Sequence, residues 1–177
     1  MSTESKNATA VSAQRPEPLR FALRCWWVVV AAEIIHQITN FIIALLTRGQ
    51  LRNEIASSQS QELSPKLLDA ATIMALAGIT GLSLIIVGII AWLVYTLGRA
   101  EKRAPIARRV LGYFAIYFAL RAGLLFSMQP QGGIDVAYYA IDGCLQMLIG
   151  VLGLLAIYFA SRPESVEFIE GKKEQQE

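Results

Sequence analysis

Four long runs of apolar residues dominate the hydrophobic pattern of this chain, and short polar stretches separate them. The runs cover residues 25–46, 70–97, 110–128 and 136–160. A helix rises about 1.5 Å per residue, so about 20 apolar residues cross the roughly 30 Å hydrocarbon core of a bilayer. The pattern therefore predicts an all-α fold, an integral membrane bundle of four transmembrane helices.

Polar segments frame and separate these spans. We expect residues 1–20 to form a disordered cytoplasmic tail and residues 21–162 the four-helix transmembrane domain. Residues 163–177 are expected to form an acidic, solvated cytoplasmic tail that could be partly helical. The loop between the first two spans is long enough for a short surface helix. Pro65 suits the start of the second span, because proline is favoured at the first position of a helix.

The composition agrees with a membrane location. Hydrophobic residues make up 54% of the 177 residues and charged residues only 17%, and the mean hydropathy is +0.45. Ordinary soluble proteins contain about 25% charged residues. A net charge of +2 is too small to indicate nucleic-acid binding. The lipid bilayer is therefore the expected environment.

Lysine and arginine are distributed unevenly around the predicted spans. Twelve of the 16 lie in the two tails or at the loop between the second and third spans. Three lie in the first loop, namely Arg48, Arg52 and Lys66, and Arg121 lies inside the third span. Loops rich in Lys and Arg stay in the cytoplasm. We therefore expect a multi-pass protein of a bacterial plasma membrane with both termini in the cytoplasm.

The first span, "VVVAAEIIHQITNFIIALL" at residues 28–46, carries four strongly polar residues near its middle. Glu33, His36, Gln37 and Asn40 fall within an arc of about 100° when successive residues are about 100° apart. Exposing such a stripe to lipid is costly. We expect it to face the other helices or a water-filled cavity.

The third and fourth spans supply partners for that stripe, namely Arg121, Asp142 and Gln146. Arg121 and Asp142 are each predicted to lie roughly 10 Å below the outer surface. A buried arginine requires a carboxylate, so our first choice is an Arg121–Asp142 ion pair, with Glu33 as the alternative or second partner. His36 could carry a compensating proton. The cluster would serve as a structural core or as a binding or proton site.

Small residues also align on two of the spans. They allow helix backbones to approach closely, and within one chain this more often reflects packing between its own helices than a dimer face. The helix-packing candidates are Ala70, Ala77, Gly81 and Gly88 in the second span and Gly150 and Gly153 in the fourth.

Motifs for catalysis or cofactor binding are not found in the sequence. It has no GxSxG, HExxH, P-loop or CxxC pattern. A single histidine rules out a bis-histidine haem within one protomer, and the two distant cysteines do not suggest a zinc site. We therefore expect no enzymatic activity, no cofactor and no metal.

The segment "AAEII" at residues 31–35 is similar to the membrane-embedded glutamate element of the small multidrug resistance family. In that family the glutamate exchanges protons for cationic drugs, which implies that Glu33 would be the coupling carboxylate. This chain departs from the family because it is longer, has a long first loop, and carries Arg121 and Asp142.

A longer segment, "RPEPLRFALRCWWVVVAAEI" at residues 15–34, together with the four-span plan, resembles small membrane proteins of actinobacteria. Some of those are accessory subunits of envelope or respiratory assemblies. The resemblance implies a non-enzymatic accessory or structural subunit that contacts other membrane proteins or associates with itself. The alternative is a small proton-coupled transporter that uses Glu33.

Overall fold

The computed structural model describes residues 15–58, 64–100, 102–125 and 136–174, with side chains up to residue 171. Most of the predicted N-terminal tail and the outer end of the predicted third span lie outside these residues. Six helices lie within them. They are α1 (Glu17–Leu46), α2 (Arg48–Ser58), α3 (Pro65–Arg99), α4 (Ala104–Leu124), α5 (Val136–Ala160) and α6 (Pro163–Glu174).

Three of these helices, α1, α3 and α5, are long and apolar enough to cross a membrane. They indicate a membrane protein. Helix α4 differs because every 18-residue window of its described length includes Arg108, Arg109 and Arg121. The predicted third span, residues 110–128, began after the first two arginines and continued past the described part of α4. The prediction of four spans is therefore not confirmed.

The four long helices form a closed ring. Helix α1 packs against α3 and α5, and α4 also packs against α3 and α5. The first and last long helices are therefore direct neighbours. Because consecutive helices run in opposite directions around the ring, the interior collects one face from each of them.

The bundle has two halves of different character, which we call the apolar half and the polar half. In the apolar half, Trp26, Val94 and Ala115 are completely buried. The polar half contains the charged residues that are buried inside the ring. The apolar half comprises residues 17–32, 87–100, 104–115 and 149–160, and the polar half residues 33–46, 65–86, 116–124 and 136–148.

Residues 163–174 form a packed helix, α6, where we expected a solvated tail. Ile169 is only 1% exposed and belongs to the apolar core. The Ser165 hydroxyl is buried and donates a hydrogen bond to the carbonyl oxygen of Phe159 at 3.0 Å. Phe168 is partly buried and packs against the same core. The acidic composition of this segment concealed these apolar contacts, which dock the helix against the end of the bundle. Helix α1 likewise begins inside the predicted tail, at Glu17.

The first loop contains the predicted surface helix, α2, which has no buried residue. Helix α3 then begins at Pro65 after Ser64, as the sequence predicted. In the first half of α3 only one stripe is buried, which consists of Leu68, Thr72 and Leu76. The other faces of this half are exposed, so α3 has few partners within the chain until it reaches the apolar half.

Candidate functional site

Arg121 and Glu33 form the first contact of the polar half. The guanidinium donates from Nη1 to Oε1 of Glu33 at 3.0 Å and from Nη2 to Oε2 at 2.7 Å. Gln37 adds a third hydrogen bond, from its Nε2 to Oε1 at 2.9 Å. Paired hydrogen bonds of this kind fix both distance and orientation. The Glu33 carboxylate therefore holds α1 and α4 together.

His36 and Asp142 form the second contact and join α1 to α5. Nδ1 of His36 lies 2.5 Å from Oδ1 of Asp142, and Nε2 lies 2.9 Å from Nδ2 of Asn40. Gln146 donates to the other carboxylate oxygen of Asp142 at 2.7 Å. Both carboxylate oxygens of Asp142 therefore have a partner.

The hydrogen bonds are compatible with two charge states of the cluster. With both carboxylates ionised, His36 donates from Nδ1 to Asp142; where the Asn40 amide donates to Nε2, the imidazole is neutral. Glu33, Asp142 and Arg121 then leave one net negative charge. A second proton on His36 would cancel it, with the Asn40 amide turned so that its oxygen accepts. The compensating proton on His36 remains a prediction.

All of the polar residues named from the sequence come together, but their pairing differs from our first choice. Arg121 contacts Glu33, the alternative partner, and Asp142 contacts His36. The predicted Arg121–Asp142 ion pair was therefore wrong. Two physical reasons explain the difference, namely the register of α4 against α5 and the direction of the two side chains.

The register follows from close contacts between α4 and α5. A Cβ on Gly153 would lie 3.4 Å from the Cα of Ala115. The two helices run in opposite directions from that point, so Arg121 is level with residues near Leu148. Asp142 is about six residues, or roughly 9 Å, farther along the polar half. The sequence had placed Arg121 and Asp142 at the same depth because each lies about equally far from the outer end of its predicted span.

The side-chain directions widen this separation. Helical side chains lean toward the N-terminus of their own helix. Arg121 on α4 therefore leans toward the apolar half, and Asp142 on α5 leans away from it. The guanidinium consequently reaches Glu33, and the Asp142 carboxylate reaches His36.

Two aromatic rings lie beside the guanidinium of Arg121. Its Cζ is 5.1 Å from the ring centre of Phe118 and 5.9 Å from that of Tyr117. Contacts between a cation and an aromatic face stabilise a desolvated charge by about 0.5–2 kcal/mol. Tyr117 precedes Arg121 by four residues, a spacing visible in the sequence, but the site residues predicted from the sequence included neither ring.

The small residues of α3 do not pack against the bundle as we expected. Ala70, Ala77 and Gly88 are exposed, and a Cβ added at Gly81 or Gly88 would meet nothing within 4 Å. These residues do align along one side of α3, as predicted, but that side faces away from α1 and α4. The reason is that α3 contributes its other face, with Val87 and Ile90, to the ring.

The glycines of α5 lie at a close helix contact. A Cβ on Gly150 would be 3.0 Å from the Cβ of Ala122 and 3.2 Å from the carbonyl oxygen of Phe118. Gly153 lies against Ala115. This close approach sets the distance between α4 and α5, and through it the position of Arg121.

In the described part of the chain, no group of three or more His, Cys, Asp and Glu residues has the arrangement of a metal site. The two buried carboxylates instead accept hydrogen bonds from Arg121, Gln37, His36 and Gln146. The arrangement holds two carboxylates inside a helix bundle, with a hydrogen-bond partner for each of their four oxygens.

Comparisons with known proteins give no relative from which a role could be transferred. No family model, no curated protein and no solved structure matches the chain. The resemblances to small multidrug resistance transporters and to small actinobacterial membrane proteins therefore stay predictions from the sequence.

Proposed function

We propose that this chain is a non-enzymatic integral membrane protein that serves as an accessory or structural subunit of a plasma-membrane assembly. The observation that carries this proposal is the closed hydrogen bonding of Glu33 and Asp142. Glu33 accepts three hydrogen bonds and is 4% exposed, and Asp142 accepts two and is 9% exposed.

A coupling carboxylate in a transporter has to exchange its proton with water and its partner with a substrate. Glu33 has both oxygens bonded to Arg121, and breaking a buried pair by removing one partner costs about 3–5 kcal/mol. Closed pairing of this kind favours a role in fixing the helix arrangement. It disfavours the use of Glu33 as a freely exchanging proton site.

The exposed apolar surface of the long helices supports a role within the membrane plane. Outside the long helices, most of the described residues form two short helices, α2 (Arg48–Ser58) and α6 (Pro163–Glu174). Large side chains such as Ile73 and Met74 cover the outside of the long helices and are 67% and 74% exposed. A chain of this shape meets other proteins mainly through its helix surfaces in the bilayer.

The runner-up is a small proton-coupled transporter, and one observation favours it. Glu33 and Gln37 lie on the wall of a cavity between α1, α3 and α4. In that case the Arg121–Glu33 pair would open during each cycle, and a cationic substrate would displace the guanidinium from the carboxylate.

A purification in gentle detergent followed by mass spectrometry separates the two roles. A subunit should bring down partner membrane proteins in fixed stoichiometry. Ile85→Trp changes the exposed face of α3 and leaves the polar cluster intact, so it should weaken the binding of a partner that contacts this face. A transporter should run as an oligomer of this chain alone. Proton uptake into proteoliposomes that disappears in Glu33→Gln would overturn the subunit role.

A further inference from the structure

A cavity of about 550 Å³ lies beside the Arg121–Glu33 pair, between α1, α3 and α4. Its volume is within the roughly 300–1,000 Å³ typical of small-molecule sites. Polar groups are confined to a few positions, and apolar and aromatic side chains form the rest of the wall. The polar lining residues include Glu33, Gln37, Ser83 and Arg121, and the aromatic ones are Tyr113, Phe114, Tyr117 and Phe118.

The polar part of the cavity is electrically balanced. The carboxylate of Glu33 is already bonded by Arg121 and Gln37, so a cationic ligand finds no free negative charge. The guanidinium of Arg121 is neutralised by the same carboxylate, so an anionic ligand gains little there. A ligand that fits this site is therefore uncharged.

Hydrogen-bond donors nevertheless remain on the wall. A guanidinium has five N–H groups, and the two bonds to Glu33 use two of them. The Arg121 side chain is 19% exposed and lines the cavity. Ser83 adds a hydroxyl from α3. The matching ligand carries carbonyl or ether oxygens, which accept hydrogen bonds.

The aromatic wall and the position of the opening give the ligand's shape and solubility. Four rings on one helix, α4, form a surface suited to a planar ring system, since aromatic groups stack at centroid distances of about 4.5–7 Å. Tyr113 and Tyr117 are 72% and 55% exposed on the outside of α4. A molecule entering beside them comes from the bilayer, so it must dissolve in lipid.

We propose that this cavity binds the head group of a lipid-soluble quinone. The class combines the four required properties: it is uncharged, planar, rich in hydrogen-bond acceptors and soluble in the bilayer. The ring stacks against Tyr117 and Phe118, one carbonyl oxygen accepts from Arg121, and the tail leaves between α3 and α4. This inference goes beyond the proposed subunit role and holds whether or not partner proteins are present.

Photolabelling of the full chain in lipid nanodiscs tests the proposal. The probe is an azido-benzoquinone with a decyl tail, and the labelled peptides are mapped by mass spectrometry. We expect labels on residues 83–90 and 110–121, with excess decylubiquinone suppressing them. Decylbenzene, which has the tail without the carbonyl oxygens, should not compete.

Two neighbouring isoleucines of α3 provide a matched pair of variants. Ile86 lines the cavity and is 39% exposed, whereas Ile85 does not line it and is 61% exposed. Ile86→Trp fills the cavity and should lower site labelling at least about tenfold, which corresponds to a tenfold change in affinity. Ile85→Trp adds the same bulk on the lipid side and should leave labelling unchanged.

Three results would overturn the proposal. Equal competition by decylbenzene would show a groove for alkyl chains only. Labels spread along the lipid-facing residues, unaffected by Ile86→Trp, would show partitioning into the bilayer without a site. Competition by tetraphenylphosphonium that depends on Glu33 would show a cation site, and it would favour the transporter role. The co-purification of partner proteins is a separate measurement, so the two proposals can fail independently.

Discussion

Around Trp26, α1 meets its neighbours through apolar side chains, whereas about two turns farther along the same helix it meets them through hydrogen bonds. Trp26 is 0% exposed and belongs to the apolar core. Glu33 and His36 are each 4% exposed and bond to Arg121 and Asp142. One helix therefore uses two different ways of holding its partners.

The difference has consequences because lipid is as apolar as the side chains it surrounds. Burying leucine between two membrane helices gains little hydrophobic free energy, so the apolar half depends on close packing. The polar half depends on specific contacts, because a guanidinium and a carboxylate pair in a fixed geometry. Packing fixes the distance between helices, and the hydrogen bonds fix which helices meet at which level.

The strongest test of this comparison is to break the Arg121–Glu33 pair. Glu33→Gln or Arg121→Gln alone should lower the free energy of unfolding by about 3–5 kcal/mol, because each leaves a buried charge unpaired. The double variant should regain most of that loss. Denaturation in mixed micelles measures all three. A single variant as stable as the wild type would show that the pair does not hold the polar half.

Truncation in the apolar half should also be costly but should offer no such rescue. Trp26→Ala should lower the free energy of unfolding by about 3 kcal/mol, the lower end for such changes, since lipid lessens the transfer term and mainly packing is lost. Combining it with Leu97→Ala in the same core should add to the loss. Recovery of stability in that double variant, measured by the same unfolding experiment, would contradict the division into two halves.

The contact between His36 and Asp142 should contribute less than the Arg121–Glu33 pair. Asp142→Asn removes one charge but retains the shape, and a neutral His36 leaves no cation behind. We expect a loss of about 1–3 kcal/mol, the cost of a poorly satisfied buried polar group. His36→Gln should cost a similar amount. A loss as large as that of Glu33→Gln would indicate that His36 is charged in the folded protein.

The glycines give the smallest and most finely matched comparison. Gly150→Ala places a methyl group 3.0 Å from the Cβ of Ala122, and overpacking of this kind costs about 1–3 kcal/mol. Gly88→Ala meets nothing within 4 Å, and the higher helix propensity of alanine should add up to about 1 kcal/mol. Thermal unfolding of both variants checks the signs. Equal effects would show that α4 and α5 do not meet closely at Gly150.

The long apolar runs were enough to predict the four long helices, and helix periodicity was enough to collect the polar residues. The arc of Glu33, His36, Gln37 and Asn40 follows from helix geometry, and burial of that arc follows from its cost in lipid. The pairing did not follow, because it depends on the register of α4 against α5, which close contacts such as that of Gly153 with Ala115 determine. Such contacts join residues far apart in the chain.

The C-terminal segment shows the same limit. The segment after Arg162 is acidic and lacks strong periodicity, so a solvated tail was the natural expectation. Two neighbouring side chains, Phe168 and Ile169, dock α6 against the apolar half. Two apolar residues are too weak a signal in a sequence, although in the folded protein they cover the end of the core. The stripe of small residues on α3 failed for the opposite reason, since a clear pattern does not say which side faces the bundle.

Three of the polar contacts join residues four apart in a single helix: Gln37 with Glu33, Asn40 with His36, and Gln146 with Asp142. Residues four apart are neighbours on a helix even without another helix beside it, so these contacts do not depend on the finished bundle. This matters during synthesis, because α1 leaves the ribosome long before α4 and α5 supply Arg121 and Asp142. Each acidic or imidazole group can therefore enter the bilayer already hydrogen-bonded to an amide of its own helix. The amides would then satisfy these groups during insertion and remain part of the finished cluster.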